Sequence, residues 1–411
     1  MKNLAISALI FASLLGQVLA QYQDEILVTQ ARDAIKNFNI VTADSAYKAA
    51  MKAAPDEDRY NEIQVEWSIL EQINVRLTDG GRALGRSEYD DAYKKYGEAI
   101  AQMDASPLKI WGRFKGEALF SMGVVHFRQD QPLKAAEKYR EASKFNPAEE
   151  KYDKAIQQVR NQHYSEGHKF LRRKDYESAR MEYEKSVAVD PTFASGYYQL
   201  AYIAKRAGNL KVAEGYYLEA VTNDATHYKA WYGLGNLYYG MGNNPKAIET
   251  LKNSISINPK YEKAYYSLGQ VYESQKSSAL AIANLKSAIE IDKKYSLAYE
   301  LLARIYIDQE KYDTTIALLR GLTGTTVTDI TAYHLAQAYN ATGNYSAALT
   351  ASSTSLAKAK KKNWAPAQVE KGDALRGLGR NKEAIASYRL ALEDARWESL
   401  AQHRIDEIMK G

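Results

Sequence analysis

The stretch Ala-Trp-Tyr-Gly-Leu-Gly-Asn-Leu-Tyr-Tyr-Gly-Met-Gly (AWYGLGNLYYGMG, residues 230–242) supports two opposed readings. Its glycines suit a loop that cradles phosphate, and its aromatics, three and four residues apart, suit one face of a helix. The rest of the chain decides between them. Thirty-four residues beyond Trp231 stands Tyr265, then Tyr299, and thirty-four before it stands Tyr197. Leu200, Leu234, Leu268 and Leu302 keep that step, as do Ala201, Gly235, Gly269 and Ala303, and Tyr238, Tyr272 and Tyr306. A second set, Ala179, Ala213, Ala247 and Ala281, is followed four residues later by Tyr183, Tyr217, Leu251 or Leu285. A period of this length is one supersecondary unit repeated.

Counting residue 228 as position 1, large apolar residues at 4, 7 and 11 fall on one side of a first helix. A small residue at position 8 lets a second helix approach, and positions 20, 24 and 27 give that helix its own buried stripe. Gly208, Gly242, Gly343 and Gly379 all fall at position 15, where the first helix ends and a left-handed residue is needed. The glycines of the opening stretch therefore read as packing and turn residues.

This pattern resembles the tetratricopeptide repeat, whose 34-residue signature runs W-x2-L-G-x2-Y, then A-x3-F, then P. Trp231, Leu234, Gly235, Tyr238, Ala247, Leu251 and Pro259 match it almost fully. Units starting at 160, 194, 228, 262 and 296 keep register, and weaker ones begin near 329 and 365. Upstream, Leu119, Met122, Gly123, Ala135, Tyr139 and Pro147 mark a further unit, and two divergent ones precede it. The early units begin 49, 43 and 44 residues apart. The resemblance implies an all-α fold, a right-handed superhelical solenoid of stacked helix-turn-helix hairpins. The stripe from Tyr152 to Phe170 predicts one long helix between Pro147 and Asp175, residues 321–329 a loop, and Arg396 to Lys410 a capping helix. The expected organisation is a signal peptide at 1–20, a divergent helical region at 21–115, an array at 116–393 with regular units at 160–329, and a capping helix at 394–411.

The N-terminus, MKNLAISALIFASLLGQVLA, has one Lys, an apolar run from Leu4 to Leu15, and Val18 and Ala20 at −3 and −1 of a cleavage site. It predicts export, to a bacterial periplasm first, with secretion or an endoplasmic-reticulum lumen as the other destinations, and no membrane insertion once the peptide is cleaved. With no cysteine there is neither disulfide nor thiolate chemistry. A net charge of +5 spread over 411 residues lacks the clustered basic face of a nucleic-acid binder. The dense run Lys358, Lys360, Lys361 and Lys362 reads as a solvated linker. Gly80 to Ser87 imitates a phosphate loop, but Arg86 stands where lysine belongs and no strand precedes it. The histidines lack metal-ligand spacing, and the expectation is no catalytic residue, no cofactor and no metal.

In the family that the chain resembles, first helices line a concave groove through positions 2, 5, 9 and 12. The resemblance then implies a partner-binding face built from Tyr164, Tyr198, Tyr202, Tyr232, Asn236, Tyr239, Tyr266, Gln270, Arg304, Tyr333 and Gln337. Tyrosine offers contact area with few rotors to freeze, and amide side chains can bond an extended backbone. The expected function is a non-catalytic scaffold for a protein or peptide partner in envelope assembly or secretion. The alternative is a glycan-binding or substrate-presenting subunit of an envelope enzyme.

Overall fold

The computed structural model describes residues 2–361 and 363–410, with side chains from residue 13 onward except 17, 20 and 21. The side chains of the apolar run before residue 13, that of Ala20 at the expected cleavage site, and Lys362 lie outside the described residues. Among the described residues the regular structure is entirely helical. The chain forms two compact units, residues 1–200 and 201–411.

The first unit holds α1 (Lys2–Lys36), α2 (Ile40–Ala53), α3 (Glu57–Gly85), α4 (Tyr89–Ala105), α5 (Gly112–Arg128), α6 (Pro132–Phe145), α7 (Glu150–Arg172), α8 (Tyr176–Val189) and the start of α9 (Ala194–Arg206). The extra length of the early repeats goes into their first helices. Helix α3 has 29 residues and α7 has 23, where α11 to come has 13. The core at the N-terminal end gathers Ile35, Tyr47, Ile63, Leu70, Trp111 and Phe114. A part-buried ion pair joins α3 to α1, Arg59 Nε to Asp24 Oδ2 at 2.6 Å, with Asp24 fully buried.

The second unit takes the rest of α9, then α10 (Leu210–Asn223), α11 (Tyr228–Gly240), α12 (Asn244–Ile257), α13 (Glu262–Ser274), α14 (Ser278–Ile291), α15 (Ser296–Asp308), α16 (Tyr312–Leu319), α17 (Asp329–Ala341), α18 (Tyr345–Lys358), α19 (Ala365–Gly377), α20 (Asn381–Ala391) and α21 (Glu398–Lys410). The expected loop at 321–329 contains a single 3-10 turn, Gly324–Thr326. The expected closing helix is α21, whose Ala401 and Ile405 cover Leu375, Ala384 and Tyr388 of the last hairpin.

Within each unit consecutive helices come as helix-turn-helix pairs, and one local device ends every first helix. The second residue after the helix is left-handed, and the next N–H returns to a carbonyl in the last turn. Asn243 N donates to the Tyr238 carbonyl at 2.9 Å across Gly242, whose φ is +76°. Four turns use glycine; the other six place Phe38, Ser87, Asp130, Lys174, Lys276 and Glu310 at φ between 56° and 62°. Position 8 works as the spacing predicts. A β-carbon on Gly235 would sit 2.7 Å from Leu251, on Gly167 2.6 Å from Tyr183, and on Gly80 2.9 Å from Tyr96. The residue sixteen places later fills the space that glycine leaves. Gly80 thus belongs to helix packing inside α3, and the imitation phosphate loop is the end of a helix.

Candidate functional site

The first helices of the second unit present positions 5, 9 and 12 together. Positions 7 and 11 are committed to the core (Leu234, Leu268, Leu302, Tyr238, Tyr272 and Tyr306 are all buried) and Trp231 and Tyr265 at position 4 are half-buried, so the adjacent face is left to larger polar residues. Tyr232, Tyr239 and Tyr266 are half-buried there, and Arg304 is exposed. They form one electrostatic neighbourhood. Burial raises the pKa of the Tyr266 hydroxyl, with Glu300, Tyr232 and Tyr239 adding to the rise and Arg304 opposing it. Arg304 Nη2 pairs with Glu273 Oε1 of the preceding first helix at 3.1 Å. Glu300 occupies the position-5 place in its own repeat, accepts from Thr328 Oγ1 at 2.8 Å, and has its pKa raised by burial.

Amide side chains at position 9 are tied to the tyrosines one turn earlier. Gln270 Nε2 donates to Tyr266 Oη at 3.1 Å, and Gln337 Nε2 donates to Tyr333 Oη at 2.9 Å. Gln337 Oε1 also meets His334 Nδ1 at 2.9 Å. Each pair fixes a side chain that solvent would otherwise leave mobile. Asn236 is half-buried one turn from Tyr232, and Tyr202, in the short part of α9 within this unit, is exposed. In the first unit Tyr164 is half-buried against His168, Tyr183 and Phe193. Tyr198, also half-buried, lies near the end of that unit.

At its C-terminal end the face becomes ionic. Asn340 Nδ2 donates to both the carbonyl and the carboxylate of Glu370, at 2.9 and 2.8 Å. Burial and the neighbouring Asp373 push the Glu370 carboxyl up to about 7, against Asn340, Gln337 and Arg404. Asp373 accepts from Tyr388 Oη at 2.7 Å and faces Arg404 Nε at 3.2 Å, while Arg376 pairs with Glu407 of the closing helix at 2.5 Å. Asn340, Asp373, Arg376 and Arg404 line an open polar cavity of about 470 Å³.

One recurring element escaped the sequence reading. Four position-5 tyrosines meet, edge to face, an aromatic at the threshold of the next first helix: Tyr164 with Phe193, Tyr232 with Tyr261, Tyr266 with Tyr295, and Tyr333 with Trp364. Centroid distances run from 5.0 to 5.4 Å. The first three pairs are 29 residues apart, a signal available in the sequence once the tyrosines are aligned. These rings therefore join neighbouring hairpins as well as facing solvent.

Stacked helix pairs whose first helices share one polar and aromatic face define an α-helical repeat array. Its family is carried by sequence matches to tetratricopeptide repeat models over residues 164–228, 262–295 and 365–393, and to a TPR repeat model over 235–276. Over those residues the chain is built of tetratricopeptide repeats. No curated protein matches it. Among solved structures it is similar to PilF of Pseudomonas aeruginosa, at 16% identity over 62% of this chain and 98% of that one, with a TM-score of 0.43. A tetratricopeptide repeat protein from Parabacteroides merdae gives 17%, 61%, 99% and 0.42 for the same measures. The Cut9–Hcn1 assembly of the APC/C gives 12%, 96%, 98% and 0.43.

Proposed function

We propose that this protein is an exported, non-catalytic scaffold whose second unit receives a protein or peptide partner on the face of α11, α13, α15, α17 and α19. The supporting observation is the pre-set row of side chains on that face. Tyr266 and Tyr333 are held by Gln270 and Gln337, and Arg304 is held by Glu273. Ordering these groups before binding lowers the entropy cost of the complex, and half-exposed tyrosine supplies apolar contact with a polar tip. An extended segment laid along such a face would exchange backbone hydrogen bonds with the amides and bury its side chains against the rings.

The targeting part of the proposal rests on the N-terminal sequence. It is compatible with the packing, because the described side chains at 13–16, 18, 19, 22 and 23 are all exposed, and cleavage after Ala20 removes none of them from a core. Envelope assembly or secretion in a periplasm is the setting proposed.

The test replaces Asn236, Gln270 and Gln337 together with Ala and changes Arg304 to Glu, then measures partner recovery from the native cell. These side chains are not in the core, so the variant should keep its helical signal and thermal midpoint. Loss of the partner by a folded variant is the expected result. Undiminished recovery would remove the face from the account.

A further inference from the structure

The eighth and ninth hairpins each depart from the others, and the two departures meet at one place. Helix α16 ends at Leu319 after 8 residues, where α10, α12, α14 and α18 each run for 14. The chain then crosses as loop and 3-10 turn until α17 begins. On α17, Ala332 stands at position 4, where earlier repeats carry Tyr197, Trp231, Tyr265 and Tyr299. Each change removes apolar volume from the same junction. What remains among α16, the loop, α17 and α18 is a cavity of about 400 Å³, within the size range of small-molecule sites.

The wall is apolar in effect. Leu319, Leu322, Val327, Leu335 and Ala351 line it. The lining threonine hydroxyls are spent on backbone carbonyls, Thr331 donating to Thr326 at 3.2 Å, Thr350 to Ser346 at 3.2 Å and Thr354 to Thr350 at 2.9 Å. No carboxylate lines the cavity among the described residues, and its one charged lining residue is Arg320, exposed at the rim. Arg320 has no ion-pair partner among the described residues. An apolar wall left facing water is costly, and an isolated guanidinium at the mouth favours an anion. The site uses positions 4, 7 and 11 of α17, apart from the 5, 9 and 12 face proposed above, so neither reading depends on the other.

We propose that this cavity binds a single-chain anionic amphiphile, its alkyl chain within the void and its carboxylate on Arg320. Each methylene that leaves water for such a wall contributes about 0.8 kcal/mol, so affinity rises with chain length until the cavity is full. The head supplies orientation.

The test is calorimetric titration of the full chain with sodium myristate, below the concentration at which it forms micelles. Three comparisons accompany it: the uncharged alcohol of the same length, the variant Arg320→Glu, and two cavity-filling variants, Ala332→Trp and Ala351→Phe. Saturable binding of one myristate, weakened tenfold or more by Arg320→Glu and by the uncharged head, and abolished by whichever filling variant keeps the wild-type helical signal, supports the proposal. Ala332→Trp restores the aromatic that other repeats carry and should also raise the thermal midpoint. Absence of saturable binding, equal binding of acid and alcohol, or unchanged binding by a folded filling variant would overturn it.

Discussion

A left-handed residue ends every first helix, but sequence marks it only where it is glycine. Gly208, Gly242, Gly343 and Gly379 are visible by residue type, whereas Lys174, Lys276 and Glu310 hold the same conformation at φ of 62°, 57° and 56°. There the two flanking helices impose the turn on a residue that disfavours it. Lys276→Gly should raise stability by about 1 kcal/mol in urea unfolding, and Gly242→Ala should lower it by at least as much. Unchanged midpoints for both would show that the turns are unstrained. Close approach gives a second prediction. A β-carbon on Gly233 would fall within 3.0 Å of the Tyr217 ring, so Gly233→Ala should cost about 1–3 kcal/mol although alanine favours helix. Glu370 was invisible in the sequence because nothing there reports its burial. Burial pushes its folded carboxyl up to about 7, above the ordinary carboxylate value, so the folded state keeps a proton that the unfolded chain releases. This group's contribution to stability is therefore present at low pH and lost as pH rises from the unfolded value through about 7. Glu370→Gln should stabilise by roughly 1–2 kcal/mol at about pH 8 and by almost nothing at about pH 4. An equal effect at both pH values would contradict the assignment.

The helices themselves were largely legible, for a reason that also explains what was not. A 34-residue period writes each hairpin's internal packing into the sequence several times, so coincidence is filtered out. Helix α7, the loop after α16 and the closing helix all fall where interruptions of that period place them. Contacts between hairpins are written less plainly. The ring pairs Tyr232–Tyr261 and Tyr266–Tyr295 join positions 5 and 34, and position 34 looks like loop until the next repeat is stacked on it. The shortening of α16 to 8 residues was equally hidden, since its repeat keeps nearly full length. At this scale α21 is the sharpest test. Ile405→Asp would place a charge among Leu375, Tyr388 and Ala401. It should strip hydrogen-exchange protection from α19 and α20 before other helices of the unit, at a cost of several kcal/mol locally. Uniform loss across the unit would show that the closing helix has no local capping role.

Over the whole molecule, a repeat array offers surface along its length, and each unit of this chain is built from hairpins that cannot bury both faces alone. Nothing in the period says which surface is used; the polar face of the second unit was reached through family resemblance, and its held side chains came from packing. The proposed export makes an independent expectation, that the protein recovered from its native cell begins at Gln21; an N-terminus at Met1 would contradict it. The central claim is most directly tested by photocrosslinking in the native cell, with a benzophenone side chain placed at Asn236 or Gln270 on the polar face and, for comparison, at Leu218 or Leu280 on the exposed sides of second helices. The account predicts one partner captured from both face positions and absent from both comparison positions. Capture from the second helices alone, or equally from all four sites, would contradict it.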